Sequence, residues 1–261
     1  MDGRLVELST EKLLKKFGAG SHKPGSGSAA ALQGMLSAQL TRTVIDLTGG
    51  KNSYKEWHAK LKKVDSEIES HIYPSLEELF QEDSIQFDKA IQQRKARDRE
   101  TNILRKSQLK SQALEELKPA TEIPIKIAQL CIKLADFAVL TFDHGFRSAR
   151  GDSSVALNSA ISAIAGCLAI IDLNLESFST SKWTEKIRSE TEQIRVNYRQ
   201  LSLKAIEKLD YLKKEADQKN LYSLEKNSFL SSLSDESEMS YADIEEIAKK
   251  LQNIIWVVYL K

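Results

Sequence analysis

Between Pro24 and Gly50 the chain reads PGSGSAAALQGMLSAQLTRTVIDLTGG. Gly27, Ala30, Ala31, Gly34, Ser37 and Ala38 recur there at spacings of three and four. On a helix such spacing collects them into one smooth strip, against which a second helix backbone can lie closely. A solvated surface helix has no need of such a strip, so the segment belongs at a helix–helix contact. Before it, the Gly25-Ser26-Gly27-Ser28 turn puts free backbone N–H groups at a helix start, where the helix dipole favours an anion or a carboxylate. Ser26 or Ser28 acting as an ordinary N-cap is the simpler reading of the same residues.

A second small-residue stretch, Ala156, Ser159, Ala160, Ala163 and Gly166, follows Asp152 and Ser153 and runs to Leu175. Close backbone approach needs small side chains on both surfaces, so the two stretches are expected to pack on each other near the core. Helical periodicity governs the rest. Leu5 to Phe17 forms a short amphipathic segment capped by Ser9 or Thr10, and Tyr54 to Ile72 carries a lysine-rich face. Pro74 marks a break or a new start, followed by helix from Leu76 to Arg94 with Asp83, Gln86 and Asp88 set among its apolar residues. The charged stretch from Arg94 to Gln112 reads as exposed helix or connection, and Pro119 and Pro124 set the start of an apolar helix from Pro124 to Phe142. Arg42 and Asp46 are placed to pair along one helix. Lys182 to Lys219 is a long amphipathic helix, Leu221 to Ser240 a serine-rich, acidic loop with room for a short helix, and Tyr241 to Leu260 a last helix capped by Ser240. No run alternates as a strand, so an all-α antiparallel helical bundle with two small-residue core helices is predicted. Its domain is placed at residues 1–215, with a C-terminal helical extension at 216–261.

Composition then excludes several functions. Lys plus Arg number 38 against 37 Asp plus Glu, so there is no global field to hold nucleic acid or an anionic membrane. Cys131 and Cys167 sit in apolar helical stretches, which suits buried thiols in a reducing compartment. His22, His58 and His71 lack a ligand register, so no metal site is expected. A signal-peptide core and an eighteen-residue apolar run are both missing, and a cytoplasmic protein is the expectation.

Several of these residues, in order along the chain, resemble the cyclodeaminase/cyclohydrolase family. The landmarks are Pro24-Gly25-Ser26-Gly27-Ser28-Ala29-Ala30, Asp83 followed by Phe87-Asp88, Ala120-Thr121-Glu122-Ile123-Pro124, Asp152, and Leu173-Asn174-Leu175. The resemblance covers about residues 5–210. It implies a dimeric all-helical fold and folate one-carbon chemistry at the carbon between N5 and N10, by a cyclohydrolase or a cyclodeaminase. A tetrahydrofolate derivative is then the substrate, with no covalently bound cofactor. By position it implies Asp83 and Asp152 as catalytic carboxylates, and Gly25 to Ser28 with Lys51 as folate contacts.

Other roles stay open. His144 is a candidate acid or base near Asp152, and Arg147 and Arg150 are candidate anion contacts. Asp83 reads equally as a helix-pairing carboxylate, Asp152 as an N-cap, and the two arginines as surface charge. Two departures stand out: Phe146 to Gly151 replaces the family's Asn-Pro-Asn stretch, and Ile170-Ile171-Asp172 replaces its Asn-hydrophobic-Arg. The alternative is a homodimeric interaction or ligand-binding module that keeps the fold without the chemistry.

Overall fold

The computed structural model of the chain describes residues 4–234 and residue 249. The described residues form helices joined by turns: α1 (Thr10–Phe17), α2 (Ser26–Gly49), α3 (Lys55–Glu67), α4 (Tyr73–Arg99), α5 (Ile103–His144), α6 (Arg150–Leu175) and α7 (Lys182–Ser234). Two compact units meet in sequence between Leu209 and Asp210, and the first holds the whole of α1 to α6 and the candidate site. The all-α bundle expected from the periodicity is what the chain forms.

At the centre lies α2, packed against α4, α5 and α6. Ala31 and Ala38 on its strip are completely buried, and Gly34 shows how close the neighbours come. A Cβ added there would stand 2.8 Å from Cys131 Sγ on α5 and 3.1 Å from Leu76 Cδ1 on α4. The partner strip on α6 meets α2 as expected: a Cβ on Gly166 would lie 4.0 Å from the Ala30 methyl. Gly166 is near the end of α6 and Ala30 near the start of α2, so the two helices run antiparallel. Around them Phe80, Ile127, Leu134, Leu157 and Ile164 complete the core. The segment Arg147–Leu175 is long and apolar enough to cross a membrane by length and composition, yet half of its apolar window is buried in the bundle.

Several local expectations are refined or corrected. Of the two readings of Pro74 the new start holds: α4 begins at Tyr73 with Pro74 in its first turn, and the chain enters it from α3 through a π turn (Ile68–Ile72) without leaving the helical conformation. By contrast, α5 does not start at Pro124: it runs 42 residues through both Pro119 and Pro124. A proline at 124 leaves the carbonyl of Ala120 without its helical donor, and Asn174 Nδ2 of α6 donates to that oxygen at 3.4 Å. Arg42 turns away from Asp46 to bond Asp65 at 2.7 Å and Glu69 at 3.1 Å, joining α2 to α3 and the π turn. Ser9 does cap α1, accepting from Lys12 N–H. The serine-rich stretch from Leu221 stays helical as far as Ser234, since no Gly or Pro lies between Lys182 and Ser234 to end α7. The helix expected over residues 241–260, with Ser240 as its cap, lies outside the described residues.

Candidate functional site

Where α2 begins and α6 ends, a cleft of about 430 Å³ opens. The turn before α2 contributes Ser21, His22, Gly25, Ser26 and Gly27, and α4 contributes Asp83, Phe87 and Arg94. The far wall is Ile170, Leu173, Asn174 and Ser177, with Ala120 of α5 beneath.

Asp83 is the buried carboxyl on this cleft. Neither Ser26 nor Ser28 caps α2; the N-cap is Gly25, which has no side chain to do so. Asp83 does the work from a neighbouring helix. Its Oδ2 accepts from the Ser28 backbone N–H at 2.7 Å and from the Ser28 hydroxyl at 2.9 Å. A carboxylate can come this close only because residue 27 lacks a side chain: a Cβ there would run into Asp83 Oδ1 and Cγ. Asp83 is 6 % exposed, and burial pushes its carboxyl above the usual carboxylate range, opposed by the two hydrogen bonds from Ser28. With Oδ2 fixed, the carboxyl is oriented at the edge of the cleft and its affinity for a proton is raised above that of an exposed carboxylate.

Beside it, His22 Nε2 and Asp88 Oδ1 are 2.7 Å apart, and the imidazole meets Phe87 edge to face with centroids 6.3 Å apart. That bond to His22 is the main reason the Asp88 carboxyl lies below its ordinary range. His22 thus has a place in the cleft that its isolation in the sequence did not suggest. Arg94 was hidden in a run of charges. Its signal was the register with Asp83, since eleven residues make just over three full turns of one helix at about 3.6 residues per turn.

The other candidates lie elsewhere. Lys51 follows the last turn of α2, and His144, Arg147, Arg150 and Asp152 gather where α5 ends and α6 begins. With α2 24 residues long, that end is roughly 35 Å along the bundle from Gly25. Lys51 Nζ sits 4.1 Å over the Phe146 ring, and His144 stacks on Trp57 with centroids 3.6 Å apart. Arg147 N–H donates to the Tyr54 hydroxyl, and Arg150 Nε donates to the Phe142 carbonyl. Asp152 is not an N-cap: α6 starts at Arg150, leaving Asp152 in the first turn, where a negative charge suits the dipole. Asp172 is exposed and paired with Arg195 at 2.8 Å, outside the cleft that its neighbours Ile170, Leu173 and Asn174 line. The structure therefore joins Asp83 with Gly25, Ser26, Gly27 and Ser28, and separates them from Asp152, His144, Lys51, Arg147 and Arg150.

An antiparallel all-helical bundle with a buried carboxyl braced on a glycine-serine helix start defines the class. The formiminotransferase-cyclodeaminase family profile matches residues 9–193, and the chain belongs to that family. It is 27 % identical over 182 residues to the methenyltetrahydrofolate cyclohydrolase of Methylorubrum extorquens, an alignment spanning 70 % of this chain and 86 % of that one. Its fold matches formiminotetrahydrofolate cyclodeaminase from Thermotoga maritima with a TM-score of 0.69 at 16 % identity, over 80 % of this chain and 98 % of the other.

Proposed function

We propose that the chain is a folate one-carbon enzyme acting at the carbon between N5 and N10, and that its reaction is hydrolysis of 5,10-methenyltetrahydrofolate. The sequence relation to a methenyltetrahydrofolate cyclohydrolase favours water as nucleophile over the cyclodeaminase alternative, in which N10 attacks a formimino carbon and ammonia leaves. One observation carries the reading: the Asp83 carboxyl, held through Oδ2 by Ser28, lines a cleft of suitable size. Ionised, Asp83 faces the amidinium charge of the methenyl group and accepts a proton from the water that attacks the carbon. A C–O bond forms and gives a tetrahedral carbon bearing one hydroxyl and both nitrogens. Asp83 then returns its proton to the departing nitrogen, the C–N bond breaks, and the carbon becomes a formyl group. The second proton, from the hydroxyl, passes to solvent. In the deaminase the same group would protonate the leaving ammonia.

We further propose a catalytic domain over residues 1–215, an extension at 216–261 and a cytoplasmic location. Pairing as a homodimer is supported by the outward apolar residues Leu36 and Leu47 of α2 and Val155 of α6, each about half exposed. Light scattering on purified protein reads the oligomer directly, and a monomer at micromolar concentration contradicts the dimer. The reaction is tested by following the absorbance of methenyltetrahydrofolate with wild type and Asp83→Asn. Enzyme-dependent loss of absorbance that disappears in the variant supports hydrolysis. Turnover only when formiminotetrahydrofolate replaces it, with ammonia released, would move the assignment to the deaminase.

A further inference from the structure

Arg94 is a guanidinium on a cleft that otherwise presents a buried carboxyl, an imidazole already bonded to Asp88, and apolar or neutral groups. Among the described residues its side chain has one hydrogen-bond partner, the Ser177 hydroxyl at 3.3 Å, and it enters no ion pair. A guanidinium has five N–H donors in a planar fork, so most of its donor capacity remains available to a ligand. Asp83, Phe87 and Arg94 form one stripe of α4. At 3.6 residues per turn the eleven positions from Asp83 to Arg94 come back to within about 20° of the same face, some 16 Å further along the axis. Phe87 lies between them, opposite Ile170 and Leu173. The cleft therefore has polarity along its length: a proton-handling carboxyl at one end, an apolar waist, and an anion-binding group at the other.

Resting on the folate reading above, we propose that Arg94 is the specificity residue that binds the carboxylate tail of the substrate. A cationic one-carbon bicycle sits at Asp83, its aromatic linker crosses Phe87, and the terminal carboxylate reaches the guanidinium. This assigns the anion contact to α4. The candidates Lys51, Arg147 and Arg150 stand at the far end of the bundle, and the acidic Asp172 faces away with Arg195. The Ser177 bond orients Arg94 across the mouth of the cleft, so Ser177 positions the guanidinium.

The test compares methenyltetrahydrofolate with methenyltetrahydropteroate, the same substrate without its glutamate, on wild type, Arg94→Gln and Arg94→Lys. Charge-assisted hydrogen bonds of this kind are worth about 10- to 100-fold in affinity. Arg94→Gln is expected to raise KM for the glutamate-bearing substrate by about that factor with kcat nearly unchanged, and to leave KM for the truncated substrate where it was. Arg94→Lys restores part of the difference, as a point charge without the fork. An equal effect of Arg94→Gln on both substrates, or none on either, overturns the assignment while leaving the reaction intact. Turnover of neither substrate by the wild type overturns the folate reading and this inference with it.

Discussion

The two ends of the α2–α6 pair are built from similar materials and differ in what those materials face. Each end joins a helix start to a glycine-containing turn and carries both acidic and basic side chains. At the end where α2 starts, a carboxyl from a third helix is buried against that start, with a cleft in front of it. At the end where α6 starts, the charged and aromatic groups bind one another: Lys51 on Phe146, His144 on Trp57, Arg150 on the Phe142 carbonyl. The same kinds of residue thus give a buried carboxyl beside a cleft in one place and a junction of mutually bonded groups in the other. Burial of a carboxyl beside accessible space makes the difference.

The sharpest way to break this contrast is to neutralise one acid at each end. Asp83→Asn keeps an acceptor for Ser28 and removes proton transfer, so kcat for methenyltetrahydrofolate hydrolysis should fall about 10²- to 10⁴-fold with the helical circular dichroism unchanged. Asp152→Asn should leave kcat within about twofold, costing only the few tenths of a kcal/mol of a first-turn charge. A large loss in the second variant would bring the far end into the chemistry.

Two glycines on α2 separate catalysis from packing. Gly27→Ala forces the Asp83 side chain off Ser28, so activity and stability fall together. Gly34→Ala presses on Cys131 and Leu76 in mid-helix and should cost about 1–3 kcal/mol in chemical denaturation while kcat per folded molecule is kept. Wild-type turnover by Gly27→Ala would mean that the carboxyl needs no bracing by Ser28.

Acidity gives a smaller effect with a definite sign. The folded Asp83 carboxyl holds its proton to higher pH than the unfolded one near 3.9, so its contribution to stability is complete below that value. It is lost as pH rises through the folded pKa. In paired thermal melts the wild type should lose ground to Asp83→Asn over that rise, and a constant difference from pH 3 upward would show no shift. Asp88 behaves oppositely. Its folded pKa is lowered, so its contribution is present above the unfolded value and is lost as pH falls through the folded one. With a quarter of the side chain exposed, the pair with His22 is worth at most about 1 kcal/mol, and Asp88→Asn should shift Tm by only a few degrees.

Much of this was legible because small residues at spacings of three and four have few uses other than helix contact. That Asp83 sits on an apolar face was legible from Leu79, Phe80 and Phe87 around it, but only the resemblance singled it out from Asp88. The prolines misled because a local rule gave way to tertiary structure: Asn174 answers the carbonyl that Pro124 leaves without a donor. Which end of the bundle each candidate occupies was not legible. Asp152 stands at the start of a small-residue helix just as Gly27 does, and only the antiparallel packing of α6 on α2 carries it away. Arg94 was concealed because its neighbours Lys95, Arg97 and Arg99 give the stretch a solvated look, while its own position is fixed by register with Asp83.

The most direct test of the account is a crystal structure of the protein with 5-formyltetrahydrofolate. The ligand is expected between Asp83 and the α6 wall of Ile170 and Leu173, with its one-carbon end at Asp83 and its tail towards Arg94. Electron density for the ligand at Lys51, Arg147 and Arg150, with the Asp83 cleft empty, would contradict it.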